Sequence, residues 1–461
     1  MRLLTNGILI IVLVINFSIA NLAGDSCLEK NLSDNIEYKL LIIAPKEFIG
    51  CLQPLVHHKE SIGIRTKIVS TYEIYKETDL CGRDNAEKIK YFIKKAIEEW
   101  KVEYVLLVGG KKHQSSKDKW WVPVRYSHIE DLRYKNFKEK KFLSDLYFAD
   151  IYDKRGDFSS WDENNNGVFG EWLDNKSADD TPDLYPDICV GRLPCRNILE
   201  VKIVVKKIIN YEKEKCSDSW FKRMVVVAGD TYPNREGYEG ENYTEKALEM
   251  MINFTPVKLW TSDGSLKSWR DVVRAINRGC GFLYLSGHGT PIWWATHPPE
   301  NEEYIFGLIR FHMFFLQNGN KLPICIVGGC HNSMFNISLH DRIWTNGIPA
   351  RKCWSWTLVS KINGGAIAAI GPTALSYGPT DISSRKGGSD WLDMHFFESY
   401  GLKKKEILGE VWKETIKAFL QNFSINWNEK SPGDSALNAK NVEQWLLIGD
   451  PSLKIGGYSG N

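Results

Sequence analysis

The segment Phe282–Gly289, with the sequence FLYLSGHG, indicates the fold class of the chain. In it a short apolar run stops at a glycine turn that carries a polar side chain. Runs of this kind, without the alternation of a half-exposed strand, are typical of parallel strands buried on both faces of a sheet. Five further apolar runs that stop at a turn share the pattern: Tyr38–Ala44, Tyr104–Val108, Met224–Ala228, Ile324–Val327 and Ala366–Ile370.

Helical segments separate these runs. In Ala86–Trp100 and Trp269–Arg278 the apolar residues recur at the spacing of one helix face. The alternation of strands and helices predicts an α/β fold with right-handed crossovers. A first α/β unit is expected over residues 36–140 and a second over residues 141–457. The segment Trp161–Pro186 is rich in Asp, Asn and Gly, which predicts a long surface loop.

The composition is that of a globular protein. The chain has 461 residues, of which 43% are hydrophobic and 25% charged, and this excludes a disordered chain or a coiled coil. Lys and Arg total 59 and Asp and Glu total 57, so the net charge is +2. A balance so close to neutral, without a sustained basic stripe, argues against nucleic acid as a partner.

The N-terminal residues have the three parts of a secretory signal peptide. Arg2 precedes the apolar run Gly7–Ile15, and the small residues Ser18 and Ala20 occupy the positions before a cleavage point. Residues 1–20 are therefore predicted to be a signal peptide, and the mature protein to be secreted or extracytoplasmic without a stable membrane span. An uncleaved anchor is the alternative, although the apolar run is short for a bilayer span.

Reactive side chains follow three of the predicted strands. Asp230, His288 and Cys330 each come directly after a glycine at the end of an apolar run. Open parallel sheets bind ligands at the carboxyl ends of their strands, so we expect these side chains to meet there. A cysteine and a histidine so placed form a nucleophile and its base. The amides near Gly289 and Cys330 would serve as an oxyanion hole, and an acidic group behind the imidazole would hold its tautomer.

Two other interpretations of these residues remain open. Each residue alone is compatible with a structural role, because a cysteine after a buried strand is most often a small core residue. Zinc binding is the competing functional interpretation, with Cys325, Cys330, His331 and His288 as ligands. Cys325, however, lies in the middle of its strand at an odd offset from Cys330, which directs the two side chains to opposite faces.

The motifs Ser286–Gly289 and Gly329–Asn332 resemble those of the gingipain-type cysteine peptidases. Shorter matching motifs extend the resemblance over nearly the whole chain: Tyr38–Phe48, Pro54–Val56, Tyr104–Gly110, Pro123, Ser144–Tyr147, Val190–Leu193 and Ile448–Leu453. The resemblance implies a caspase-like fold, a three-layer α/β/α sandwich with mostly parallel sheets and two adjacent α/β subdomains. It also implies that Cys330 is the nucleophile, His288 the general base and acid, and Asp230 an acidic residue near the histidine.

The same resemblance implies residues that bind substrate. Glu241 lies near the position of the acidic residue that recognises a basic P1 side chain in Arg-specific members. A solvated charge in the loop Tyr238–Tyr243 is the alternative for this residue. Tyr377 lies near the position of an aromatic wall of the S1 pocket. Trp293 looks particular to this chain, and it is expected to line the cleft or to pack on its rim.

Residues 162–167, with the sequence DENNNG, begin like a calcium-binding loop. Alternating oxygen side chains before a glycine are typical of such loops. Position 12 of an EF-hand loop would be Leu173 rather than glutamate, so the segment is not an EF-hand. A looser structural calcium site is predicted from four residues: Asp162, Asn164, Asn166 and Glu171. Asp174 is an alternative to Glu171, and a plain polar turn is the alternative to a calcium site. The resemblance likewise implies calcium somewhere in the protein, and it implies no organic cofactor.

Together these features predict a secreted cysteine endopeptidase that hydrolyses polypeptides through a Cys–His dyad and a thioester acyl-enzyme. A preference for basic P1 residues rests on Glu241. One alternative is a legumain-like transpeptidase or ligase, which needs a site that excludes water from the acyl-enzyme. The other is a non-catalytic surface binding protein that retains the fold, and the presence of both Cys330 and His288 argues against it.

Overall fold

A ten-stranded sheet contains all the strands that the apolar runs predict. The computed structural model describes residues 37–77, 81–114, 119–130, 139–214, 219–235, 237–341, 343–378 and 388–458. The strands of these residues are β1 (Leu40–Ala44), β2 (Thr66–Ser70), β3 (Tyr104–Val108), β4 (Tyr126–Ile129), β5 (Phe142–Leu143), β6 (Glu171–Trp172), β7 (Cys189–Leu193), β8 (Arg223–Ala228), β9 (Thr255–Trp260), β10 (Phe282–Ser286), β11 (His288–Gly289), β12 (Trp293–Thr296), β13 (Ile305–Ile309), β14 (Ile324–Gly328), β15 (Ala368–Pro372) and β16 (Trp445–Ile448).

Helices connect most of the long strands. Both helices that the periodicity predicts are present, within one residue of their expected ends. The α-helices of the described residues are α1 (Lys46–Ser61), α2 (Thr71–Lys76), α3 (Asn85–Trp100), α4 (Ile198–Lys213), α5 (Glu239–Met250), α6 (Trp269–Asn277), α7 (Trp354–Val359), α8 (Ser389–Gly401), α9 (Leu408–Asn422) and α10 (Asp434–Gln444).

The order of the strands across the large sheet is β2-β1-β3-β7-β16-β15-β14-β10-β8-β9. The strands β2-β1-β3-β7 pair in parallel, and so do β15-β14-β10-β8-β9. β16 lies between these two sets; it is antiparallel to β15 and meets β7 at the pair Ile448 and Arg192. The sheet is therefore mostly parallel, as predicted. The division into two α/β units at residue 140 stays a prediction. β7 lies after this residue in the chain and pairs with β3, which lies before it.

Burial explains why the apolar runs form strands. Every residue of β10, β14 and β15 is buried. Neither face of these strands meets solvent, so their sequences do not need to alternate between polar and apolar residues. α5 connects β8 to β9, and α6 connects β9 back to β10. Right-handed crossovers in opposite directions place these two helices on opposite faces of the sheet. The result is three layers, with the core between the sheet and the helices on each side.

The segment Trp161–Pro186 is mostly loop, with residues 163–167 and 174–177 exposed as predicted, but other parts of it are buried. It contains the short strand β6, and Trp161, Trp172 and Asp180 are buried. Trp161 is anchored by its Nε1 atom, which donates to Asp150 Oδ2 at 2.7 Å. The polar majority of the segment suggests exposure, whereas its few large aromatic side chains determine its burial because they carry most of its apolar area.

Residues 1–36, and with them the predicted signal peptide 1–20, lie outside the described part of the chain. The cleavage after Ala20 therefore stays a prediction. Along the residues that the structure describes, no helix combines the length and the apolar content needed to cross a membrane.

A buried ion network joins distant parts of the chain. Lys59 of α1 is fully buried, and its Nζ atom lies 2.8 Å from Glu212 Oε1 and 2.8 Å from Asp450 Oδ2. Glu212 belongs to α4 and Asp450 follows β16, so one cation holds three elements together. The two carboxylates would repel each other without it.

We expect Lys59→Met to lower the free energy of unfolding by about 3–5 kcal/mol, because it leaves two buried carboxylates without their cation. Urea denaturation followed by circular dichroism measures this change. Lys39→Met is the matched control: its partner Glu103 lies at 3.9 Å and both side chains are more than half exposed, so the expected loss is about 0–1 kcal/mol. Equal losses in the two variants would contradict the structural role of the Lys59 network.

Candidate active site

The structure places Asp230, His288 and Cys330 at one edge of the sheet. β14, β10 and β8 are neighbours and run in parallel, with Ser286 paired to both Gly328 and Ala228. Their carboxyl ends therefore lie side by side, and the turns that follow them carry the three residues. This is the edge at which open α/β sheets bind ligands.

A main-chain carbonyl orients the imidazole of His288. The Nε2 atom lies 2.8 Å from the carbonyl oxygen of Thr231. A carbonyl oxygen only accepts hydrogen bonds, so Nε2 carries the proton, and Nδ1 is the basic nitrogen of the neutral ring. Burial has the largest effect on the pKa of His288 and lowers it. The hydrogen bond to Thr231 raises this pKa and the charge of the neighbouring His297 lowers it, both to a smaller extent. The ring is therefore an uncharged base at neutral pH.

Asp230 shapes the turn that carries this carbonyl. Its buried carboxylate accepts a hydrogen bond from Tyr232 N at 3.0 Å and from Glu300 N at 3.4 Å, and its own N–H donates to His297 O at 3.0 Å. The position expected for a carboxylate behind the imidazole is held by the oxygen of the next residue, Thr231. Asp230 thus acts on His288 through the backbone.

The sulfur of Cys330 lies against the loop that follows β15. Its side chain is half-buried, and Sγ is 3.5 Å from Ser376 N and 3.6 Å from Ser376 O. Trp445 holds that loop, since its Nε1 atom donates to Ser376 Oγ at 3.2 Å. Because β14 lies between β15 and β10, Cys330 has the Ser376 loop on one side and the His288 turn on the other.

Asn332 ties the nucleophile turn to the histidine turn. Its Nδ2 atom donates to Thr290 O at 2.9 Å and to Trp293 O at 3.0 Å. A methyl group on Gly289 would collide with Asn332 Oδ1, and one on Gly329 would lie 2.6 Å from it and 3.0 Å from Gly289 N. Only glycine leaves room for this packing. The backbones near Gly289 and Cys330 are thereby adjacent, which is the arrangement that an oxyanion hole requires.

His331, next to Cys330, points into a buried network. Its backbone is left-handed with φ 57°, its ring stacks on Trp344 at 4.1 Å, and its Nε2 atom lies 2.9 Å from Glu139 Oε1. Glu139 also accepts from Lys440 Nζ at 3.2 Å and from Leu375 N at 2.8 Å. Burial alone would raise the pKa of Glu139, but these partners lower it to about 2. The network therefore connects the turn that carries Cys330 to the loop that contains Ser376.

Zinc is not supported by this arrangement. His331 is engaged with Glu139, and Cys325 is buried within β14, where it pairs with Leu283 and Ala369 of the neighbouring strands. No group of three or more His, Cys, Asp or Glu residues is placed to hold a metal ion within the described ranges.

The four predicted calcium residues do not converge on a cation either. Asp162 Oδ2 accepts from Arg83 Nη1 at 2.7 Å, so a guanidinium supplies the positive charge there. Asn164 Oδ1 accepts from Asn166 N at 3.0 Å, and Asn166 Nδ2 donates to Glu171 Oε2 at 2.6 Å. These oxygens are occupied by N–H donors of the protein, and the residues do not fit a calcium ion in this conformation.

Glu241 is buried in the first turn of α5, so the alternative of a solvated charge in a loop is wrong. Its carboxylate accepts from Ser262 N at 3.0 Å, from Ser262 Oγ at 2.5 Å and from Thr261 Oγ1 at 3.3 Å. The neighbouring Gly240 packs against the carbonyls of Gly229 and Ser286, because a methyl group there would lie 2.8 Å from each. The start of α5 therefore lies directly beside the catalytic strand ends.

Further acidic groups lie near Tyr377, on the same side. Tyr377 is buried, and its main chain exchanges hydrogen bonds with Asn441 at 3.3 and 3.0 Å. A methyl group on the next residue, Gly378, would lie 2.7 Å from Asp390 Oδ2. Burial raises the pKa of Asp390 to about 7, and the charge of Glu239 adds to the shift. The sequence analysis missed both carboxylates.

Trp293 is half-buried on β12, next to the fully buried Trp294. Trp294 donates from Nε1 to Gly328 O at 2.9 Å and so supports the nucleophile turn from below. Trp293 instead contacts Phe306 of the paired strand β13 and Tyr304 just before it, with ring centroids 5.6 and 5.7 Å away. Of the tryptophan pair, Trp293 is the partly exposed member.

Three site residues were not predicted from the sequence, because their roles depend on backbone atoms or on tertiary contacts. Thr231 and Ser376 act through backbone atoms, which leave no signal in the side-chain pattern. Asn332 belongs to the quoted motif Gly329–Asn332, yet its role depends on contacts with a turn some forty positions earlier. The sequence indicated these residues only by their position shortly after a strand that ends in glycine.

Comparisons with known proteins agree on one family. The model of "Peptidase family C25" matches residues 33–456. Gingipain R2 and Gingipain R1 of Porphyromonas gingivalis are 20% identical over 422 residues, covering 90% of this chain and 46% and 34% of their own lengths. The chain thus spans less than half the length of these curated relatives. An uncharacterised protein of Archaeoglobus fulgidus is 23% identical over 284 residues, 58% of this chain and 64% of its own.

Solved structures show the same fold. The Arg-specific cysteine proteinase gingipain R has a TM-score of 0.62 at 19% identity, covering 91% of this chain and 78% of its own. The complex of the Porphyromonas gingivalis RgpB pro- and mature domains has a TM-score of 0.60 at 19% identity, covering 90% and 79%. With the layered, mostly parallel sheet, this confirms the predicted caspase-like α/β fold.

The geometry predicts that Cys330 is alkylated with help from His288. We expect the rate of its reaction with iodoacetamide to rise with a midpoint below pH 6.5, because the lowered pKa of His288 keeps its base form present there. In His288→Ala the midpoint should move toward the ordinary thiol value of about 8.5. Peptide mass spectrometry measures the labelling of each cysteine against pH.

Cys81 is the internal control for that experiment, because it is exposed and distant from the site. Its labelling profile should be the same in both proteins. The buried thiols of Cys189, Cys280 and Cys353, whose pKa values burial raises, should stay unlabelled while the protein is folded. A Cys330 profile that is unchanged by His288→Ala would contradict the pairing.

Proposed function

Because the chain belongs to peptidase family C25, we propose that it is a cysteine endopeptidase that hydrolyses polypeptides. Cys330 is the nucleophile and His288 the general base and acid. The observation that carries the proposal is the hydrogen bond of His288 Nε2 to Thr231 O at 2.8 Å, beside the strand that presents Cys330. It leaves Nδ1 as the basic nitrogen, which is what a thiol nucleophile needs.

Acylation begins with transfer of the Cys330 thiol proton to Nδ1 of His288. The thiolate attacks the scissile carbonyl carbon, and the C–S bond forms as the carbonyl oxygen takes the negative charge. Main-chain amides near Gly289 and Cys330 stabilise this oxyanion. The imidazolium is stabilised by the carbonyl oxygen of Thr231, which accepts from Nε2–H throughout.

The imidazolium then returns its Nδ1 proton to the leaving nitrogen. The C–N bond breaks, the amine product departs and a thioester remains on Cys330. Water loses a proton to Nδ1 and attacks the thioester, and the C–S bond breaks as the carboxylic acid forms. The proton passes back to Sγ, which restores the resting enzyme. No organic cofactor takes part in this sequence.

For P1 we propose a basic side chain, recognised by Glu241. What supports this is a buried carboxylate at the start of α5, beside the strand ends that carry the catalytic residues. The hydroxyl and amide groups of Ser262 and Thr261 that now contact it hold it in a fixed orientation. A guanidinium that reached it would form a charge-assisted, bidentate pair.

A fluorogenic peptide library varied at P1, under reducing conditions, tests both proposals. We expect cleavage after Arg and Lys that disappears in Cys330→Ala. In Glu241→Gln the ratio of kcat/KM for Arg over a neutral P1 residue should fall by about tenfold or more, since a charged hydrogen bond is lost. Glu239→Gln, which changes the other glutamate in the first turn of α5, is the matched control.

The outcomes separate the alternatives. A preference removed by Glu239→Gln instead would overturn the role of Glu241 and leave the peptidase intact. Product masses that include an added amine would favour the transpeptidase or ligase. A folded, reduced protein that cleaves no peptide and is unaffected by Cys330→Ala would favour the non-catalytic binding protein.

We also propose that the protein is exported, which the pattern of Arg2, the run Gly7–Ile15 and Ser18-Ile19-Ala20 supports. Expression of the whole chain in a secreting host, followed by N-terminal sequencing, is the test. A mature protein that starts at Asn21 in the extracytoplasmic fraction is the expected result. Retention of Met1 in the membrane fraction would favour the uncleaved anchor instead.

A further inference from the structure

An aromatic face adjoins the histidine of the site. We define it by Trp293 of β12 together with Tyr304 and Phe306, which lie before and within β13. The ring of Tyr304 is centred 5.8 Å from that of His288, 5.7 Å from Trp293 and 6.1 Å from Phe306. Tyr304 is 44% exposed and Phe306 is 42% exposed. Large apolar side chains therefore form a continuous surface that begins beside the imidazole of His288.

The exposure of this face is not explained by the core. The neighbouring Trp294 and Leu308 are fully buried and supply the packing beneath the hairpin β12–β13. Phe306 is partly exposed, and the aromatic rings beside it are those of the partly exposed Trp293 and Tyr304. Clustered exposed aromatic residues of this kind mark binding surfaces.

The face is held in register with the catalytic turn. Asp230 pairs with His297 as an isolated bridge, and its carboxylate accepts from Glu300 N at 3.4 Å. His297 lies against Tyr304, with ring centroids 4.2 Å apart. The turn that carries the carbonyl for His288 thus also positions the start of the aromatic face.

The proton transfer in the proposed reaction indicates which part of a substrate meets this face. Cys330 lies between the Ser376 loop on the β15 side and the His288 turn on the β10 side. In the proposed reaction His288 gives its proton to the leaving nitrogen, so the residues after the scissile bond pass over the histidine side. The aromatic face lies next along that path.

We infer that the aromatic face binds a large apolar side chain, preferably an aromatic one, of the first or second residue after the scissile bond. The inference rests on the proposed peptidase function and adds a determinant of specificity to it. Successive side chains of an extended peptide point to opposite sides. Only one of the two positions, P1′ or P2′, should therefore respond.

Internally quenched peptides test the inference. All share the same residues up to P1, and they carry Phe or Ser at P1′ and, in a second pair, Phe or Ser at P2′. We expect kcat/KM of the unaltered protein to favour Phe by about tenfold at one position and to be nearly equal at the other. In Phe306→Ser the ratio should fall to within about twofold of one. Tyr304→Ser provides a second, independent variant.

Phe314→Ser is the matched control, because Phe314 is also a phenylalanine, is 75% exposed and has its ring against Phe315 rather than the site. It should keep the full ratio. Thermal denaturation of each variant verifies that it is folded. If both substitutions unfold the protein, competition of the unaltered protein between Phe and Ser peptides still decides the point.

The results distinguish failure of the aromatic subsite from failure of the proposed peptidase function. Cleavage of all peptides with equal kcat/KM at both positions would overturn the aromatic subsite while leaving the peptidase in place. A ratio that survives in Phe306→Ser and Tyr304→Ser would also overturn it. Absence of any cleavage that depends on Cys330, measured with Cys330→Ala, would instead overturn the proposed function itself.

Discussion

The amide of Asn332 is the contact on which the candidate site depends. Cys330 and His288 follow different strands, which are neighbours in the sheet. Asn332 belongs to the first turn, and its two hydrogen bonds to Thr290 and Trp293 fasten it to the second. Glycine at 289 and 329 gives the amide its space. The proposed acyl transfer needs its reacting groups held in fixed positions, and this junction supports that.

The histidine side of the site forms one mechanical unit. Asp230 fixes the turn whose Thr231 carbonyl orients His288, and the same carboxylate holds the loop that leads to Tyr304. The base and the neighbouring aromatic face therefore share one anchor. On the other side of Cys330, the network of Glu139 and the indole of Trp445 brace the Ser376 loop. The sulfur lies between two separately stiffened walls.

Local patterns in the sequence predicted the parts of this structure that depend on local chemistry. The buried strands and the turns with Cys330 and His288 follow from apolar runs that stop at glycine, and the structure has them where expected. The partial burial of the loop Trp161–Pro186 was not predicted, because it depends on tertiary contacts of a few aromatic residues. The surroundings of the predicted calcium loop are a further case: a positive charge beside Asp162 comes from Arg83, which is far away in the sequence.

The carbonyl of Thr231 has a consequence for how this site changes during evolution. A carboxylate that orients a catalytic histidine is lost by a single codon change, and it also titrates. A backbone oxygen does neither: any residue at position 231 that keeps the turn supplies the same acceptor to His288. A substitution at position 231 would therefore leave the acceptor for His288 Nε2 in place as long as the turn keeps its conformation.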